Sequence, residues 1–170
     1  MPALQKKHPA GLQVEVIEDD GDWSCLPDAE PILEQSAAAV ASVLGEDVRP
    51  GFVSVALSSD ANVAVLNERF RGMAKPTNVL SFPAGAGSAE GYLGDIILAR
   101  ETIEREAREQ DVSFAHHVQH LAVHGILHLL GYDHIETVDA EIMEALEIKI
   151  LSGLGIANPY TGAPESGTNE

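Results

Sequence analysis

The stretch Leu121-Ala-Val-His124-Gly-Ile-Leu-His128-Leu-Leu-Gly131-Tyr-Asp-His134 places three imidazoles at the spacing H-x-x-x-H-x-x-x-x-x-H. Its pattern predicts a helix over roughly 114–130. On such a helix, residues four apart share a face and lie roughly 6 Å apart along the axis. His124 and His128 can therefore aim one nitrogen each at a common point. Gly131 suits the left-handed conformation that ends a helix, so the chain can turn back and deliver His134 as a third ligand. Three neutral imidazoles with an open fourth position form the donor set of a catalytic zinc or similar divalent ion. The bland alternative is a chance cluster of histidines. Against it, the third histidine follows directly on a helix-stopping glycine. The motif points to a metal-dependent hydrolase.

His120 lies one turn before His124 on the same face and could be a fourth ligand, a partner supporting the ligands or a neighbour; it reads as a neighbour, because a fourth protein ligand would close the site. His116 and His117 lie further back, roughly 10–12 Å from His124 along the axis. Zinc proteases of the H-E-x-x-H type carry their general base directly after the first ligand. Here that position is Gly125, which disfavours peptidase chemistry and lets something large approach the helix.

The length of 170 residues suits one domain with a real core. The single cysteine, Cys25, forms no intramolecular disulfide and is expected to be a buried or half-buried small residue. No apolar run approaches membrane-spanning length and no leader-like segment opens the chain, which fits a cytoplasmic protein without membrane partners. The formal net charge of −17 should repel nucleic acid on average. The cations are uneven, however: Arg69, Arg71 and Lys75 fall together. They form either a local basic patch on an acidic body or simply a solvated loop. The acids concentrate at 15–22, 101–111 and 136–147.

Strands are expected at 12–17, 52–57, 78–82 and 94–98, the last two antiparallel across a glycine-rich loop. Helices are expected from Asp28 to Leu44, from Ser59 or Asp60 to about Phe70, and over roughly 100–109, 114–130 and 137–152. In the last helix Val138, Ile142, Ala145, Leu146 and Ile150 fall at amphipathic spacing, with Glu141 and Lys149 alongside. The order βαβαββααα predicts a single α+β domain over 1–155, a small mixed sheet of about four strands packed with helices, the histidine helix central. Met1 to Ala10 reads as a loose terminus and 156–170 as a disordered tail.

The segment His124-Gly-x-Leu127-His128-Leu-x-Gly131-Tyr132-Asp133-His134 resembles the signature of the YbeY family of bacterial endoribonucleases, also called rRNA maturation factors. Leu66-Asn67-x-x-Phe70-Arg71, Pro76-Thr77-Asn78-Val79-Leu80-Ser81-Phe82-Pro83 and Gly94-Asp95-Ile96 resemble further family blocks in the same order, so the likeness covers roughly residues 53 to 135. It implies one zinc ion held by His124, His128 and His134. It also implies cleavage of single-stranded RNA in 3′-end maturation of small-subunit (16S) ribosomal RNA and in ribosome quality control. Arg71 matches the family's functionally important arginine near the metal. Phe70 stands where a tyrosine is common and Asn78 where the family often has Asp, so no catalytic carboxylate is assigned there.

An ion with three neutral ligands keeps its charge and lowers the pKa of bound water toward about 7. Arg71 would give phosphate a planar, permanent cation as negative charge grows, with Arg69 and Lys75 positioning RNA. Asp133 reads as either a carboxylate orienting a histidine or a turn cap, and Asp95 as a turn or cap residue. The acidic body would discourage loose RNA binding and leave targeting to ribosomal or ribosome-associated proteins. Two other readings stay open: an assembly factor with a structural metal, and a zinc hydrolase acting on a peptide or amide.

Overall fold

In β1 (Leu12–Glu18), Leu12, Val14 and Val16 turn inward while Gln13, Glu15 and Ile17 face the other way, the period of two that one covered face requires. The computed structural model describes residues 11–48, 50–73, 77–133 and 136–160. The expected loose N-terminus and residues 161–170 of the expected tail lie outside them. After β1 come α1 (Ala29–Leu44), a 3₁₀ turn at Gly45–Asp47, β2 (Gly51–Ser58) and α2 (Asp60–Arg71). They are followed by β3 (Val79–Pro83), β4 (Tyr92–Ala99), α3 (Arg100–Gln110), α4 (Phe114–Leu129) and α5 (Thr137–Gly153). The architecture is α+β, with helices packed on one four-stranded mixed sheet.

The sheet order is β1-β2-β4-β3. β1 and β4 both run parallel to β2, and β3 pairs antiparallel with β4 from Val79↔Leu98 to Pro83↔Gly94. The fourth strand starts at Tyr92, earlier than its apolar run suggests, because Tyr92 still pairs with Phe52 across an irregularity in the β2–β4 register. One face of the sheet carries the main core, where Val53, Val55, Ile96 and Leu98 meet Leu33 and Val40 of α1, Ile126 of α4 and Ile150 of α5. The other face is smaller and meets α2, with Val63 against Leu80, Ile97 and Ala99.

Helix ends follow local chemistry. Ser59 Oγ accepts from the Asn62 amide at 3.2 Å, and Ser113 Oγ from the His116 amide at 3.1 Å, the N-caps that satisfy otherwise orphaned donors. Asp28 precedes α1 without a side-chain capping bond. At the end of α4, Tyr132 N donates to Leu127 O and Gly131 N to His128 O, with Gly131 at φ 104°. This is the paired closure expected of a glycine helix stop.

Two expectations are corrected. Cys25 is exposed, because the turn that bonds Leu26 N to Trp23 O sends those two neighbours inward instead. The buried stripe of α5 is Met143, Glu147, Ile150 and Leu151, whereas Val138 and Ile142 are exposed. The helix is thus rotated from the face that its apolar spacing suggests, and a glutamate points into the core.

Gly94 is demanded by its surroundings. Its φ is 142°, and a Cβ there would collide with the Phe82 carbonyl and stand 2.8 Å from Leu129 Cδ2. Gly94→Ala should destabilise the protein by roughly 2 kcal/mol or more, read as a lower urea midpoint. Gly85→Ala, whose added methyl meets nothing within 4 Å, should leave the midpoint nearly unchanged.

Candidate metal centre

Helix α4 is wrapped by β3, β4, α1, α3 and α5. From His117 to Leu127 every residue is buried except His120 and His124. With exposed His116 before them and half-buried His128 after, these form a stripe of imidazoles at four-residue spacing. The rings of His124 and His128 stand 4.7 Å apart between centroids, edge to face at 80°. The pair that the sequence predicts to share a metal is side by side. His134, the expected third ligand, and Lys75, an expected positioning cation, both lie outside the described residues.

Across the stripe runs α5, which delivers Glu147. Its side chain is 1% exposed. Oε2 accepts from His124 Nδ1 at 2.5 Å, Oε1 from His120 Nε2 at 3.3 Å, and Tyr160 Oη also donates to Oε1. Burial by itself would raise the Glu147 pKa, but hydrogen bonds from His120, His124 and Tyr160 prevail and hold it at about 2. His120 is therefore more than the mere neighbour expected, since it shares a carboxylate with His124. A second pair lies further back. His117 Nε2 meets Glu106 Oε1 at 2.9 Å, and Asn78 donates to that same oxygen at 2.9 Å. Burial pushes His117 below its ordinary pKa despite Glu106. Asn78 serves here as a donor to a structural carboxylate.

A cleft of about 820 Å³ lies between His116, His117 and His120 on one side and residues 156–159 on the other. It flanks the N-terminal half of the stripe, not His128. With His124 Nδ1 donating to Glu147, Nε2 carries the ring's lone pair, and the donor chemistry of His124 and His128 fits a divalent ion.

Arg71 ends α2, where a cation is favoured by the helix dipole. Its Nη2 donates to Ser81 O at 3.4 Å, and Cζ lies 5.8 Å from the Phe82 ring centroid. Phe70, 61% exposed, packs its ring 5.2 Å from that of Phe82. Ser81 belongs to the edge strand β3 and carries its hydroxyl toward Gly125 on α4. One residue thus links the arginine to the turn between His124 and His128. Arg69 sits roughly 200° around the helix from Arg71 and is exposed, so the two cations do not share one face. Asp95 is no turn residue: it lies within β4 and accepts from Tyr92 Oη. Burial and Asp95 together push the Tyr92 phenol up to about 12.

The sequence profile of the family Endoribonuclease YbeY matches residues 27–155. The chain belongs to that family. Among its relatives, the Endoribonuclease YbeY of Bradyrhizobium diazoefficiens is 48% identical over 92% of this chain and 90% of its own length. That of Sphingopyxis alaskensis is 50% identical over 82% and 88%. The solution structure of TM1509 from Thermotoga maritima superposes with a TM-score of 0.55 at 24% identity, covering 91% of this chain and 97% of that one, a likeness of fold. Among the described residues, no helix is long and apolar enough to cross a membrane.

Sequence reasoning passed over Glu147 because it closes an acidic run. The signal was its position at 143, 147, 150 and 151, a charge inside an apolar stripe. Its depressed pKa fixes a pH dependence. Between the ordinary 4.5 and about 2 the unfolded chain takes up the proton first. The stability from this group is therefore complete above about pH 4.5 and is lost as pH falls toward 2, roughly 3 kcal/mol in all. In urea titrations of metal-free protein, the gap between wild type and Glu147→Gln should narrow over that window.

Proposed function

We propose that this chain is a metal-dependent endoribonuclease that cuts single-stranded RNA, acting in 3′-end maturation of 16S ribosomal RNA and in ribosome quality control. The observation that supports it most is the His124–His128 pair, with the far side of His124 held by Glu147, in a chain of the endoribonuclease YbeY family. The activity resides in one domain, residues 1–155, working in the cytoplasm. His124, His128 and His134 hold one Zn²⁺. When bound, the ion supplies Lewis acidity toward a phosphodiester and makes its water more acidic.

The chain's own side chains do the rest. His124 offers Nε2 with its ring plane fixed. Arg71 exchanges its weak 3.4 Å bond to Ser81 O for a non-bridging phosphate oxygen, where a planar cation gains most as charge develops. The Phe82 ring beneath the guanidinium keeps it in place during the exchange. Arg69 and Lys75 bind backbone phosphates without reading sequence. With a net charge of −17 the body repels bulk RNA, so ribosomal or ribosome-associated proteins bring the enzyme to its substrate.

The test is cleavage of a single-stranded ribosomal RNA fragment by zinc-loaded protein. His124→Ala, purified identically, should show none. Arg71→Ala should fold and bind zinc as wild type does while kcat/KM falls about 100-fold. Cleavage by His124→Ala equal to wild type would remove phosphodiester chemistry from this centre. Full activity in Arg71→Ala would remove the role given to the arginine.

A further inference from the structure

The hydrogen bonds at Glu147 tie the candidate metal ligand to a residue well beyond it in sequence. After α5 ends at Gly153, Ile156 returns to the core and the chain brings Tyr160 over the imidazole stripe. There its ring stands edge-on to His120 at 5.8 Å and 88°, and its hydroxyl donates to Glu147 Oε1. We propose that Glu147 is a positioning residue for the metal centre and that Tyr160 is the strap that holds Glu147 in place. This rests on the reading of His124 as a metal ligand. A carboxylate accepting from Nδ1 selects the Nδ1-protonated tautomer of His124 and fixes its ring plane, so that Nε2 carries the lone pair a metal would use. Glu147 can do so only if it stays still, and it is held from three sides: Oε2 by His124, Oε1 by His120 and Tyr160. Core packing alone would explain a buried methionine or leucine between Met143 and Ile150. It does not explain an acid whose two oxygens both face donors.

Two measurements on the full-length chain decide it. Nitrogen-15 spectra of the histidine rings in metal-free wild type should show His124 protonated at Nδ1. Zinc affinity by competition with a chromophoric chelator should fall about 10–100-fold in Glu147→Gln. It should fall several-fold in Tyr160→Phe, with the circular dichroism and melting temperature of that variant unchanged. A His124 protonated at Nε2 would overturn the proposal, as would wild-type zinc affinity in folded Glu147→Gln and Tyr160→Phe. Should Glu147→Gln fail to fold, the wild-type tautomer and Tyr160→Phe carry the decision. His124→Ala is the control. Wild-type zinc affinity there would refute the ligand reading itself, a different failure from a His124-dependent site indifferent to Glu147.

Discussion

Helix α4 lies close on the sheet because position 125 has no side chain, and the rest of the centre depends on that approach. A Cβ at Gly125 would stand 3.0 Å from Ile96 Cδ1 and 3.1 Å from Ser81 Oγ, tight enough that the core isoleucine or the edge strand would have to move. Without it, the turn between His124 and His128 rests on β4 and β3, and Val118, Ala122, Ile126 and Leu127 fill the remaining flanks. A helix gripped on so many sides has little freedom to roll or slide, which a metal site requires of its ligands. The same contact sets the arginine. Ser81 touches the helix through its hydroxyl and accepts from Arg71 through its carbonyl, so guanidinium and imidazoles are referenced to one residue of one strand.

The acidity of the chain is only partly a surface property. Glu147 and Glu106 sit against α4 as acceptors for imidazoles. Asp60 and Glu101 join the starts of α2 and α3: Glu101 accepts from the Asp60 amide at 2.8 Å, while Asp60 accepts from the amide and hydroxyl of Thr102. Carboxylates at helix N-termini satisfy unpaired amides and face the positive end of the dipole. Arg100 stands within reach of Glu101 and Glu104. These carboxylates hold helices in place, and the bare net charge overstates how uniformly the surface repels RNA.

The element order, the mixed four-stranded sheet and the central histidine helix were legible in the sequence, because alternation, N-caps and stop glycines act over a few residues. The His124–His128 pairing was legible for the same reason, being set by one turn of helix. What was not legible depends on contacts made at long range. The face of α5 was misread because Val138 and Ile142 look like core until α4 and the C-terminal segment are in place. Cys25 was misplaced because a single turn decides which of its neighbours point inward. The bare backbone at Gly125 predicts a close approach, yet only the structure identifies the visitor as Ile96 and Ser81. Glu147 hid among acids, since sequence alone gives no cue that three donors 13 to 27 residues away converge on it.

The glutamate's position also separates this centre from that of the H-E-x-x-H hydrolases. There the carboxylate next to the first histidine serves the attacking water. Here that place on the helix faces the sheet, where even a Cβ would press on Ile96 and Ser81. The carboxylate that does reach His124 comes from α5, is 1% exposed, and spends both oxygens on donors from the protein. A base must meet the proton it removes at about 2.6–3.2 Å, and a group so enclosed and so firmly deprotonated neither reaches substrate nor takes up protons near neutral pH. Glu147 therefore acts on the imidazole of His124 and not as a base toward substrate. Such a centre suits a phosphodiester, whose cleavage gains most from charge neutralisation.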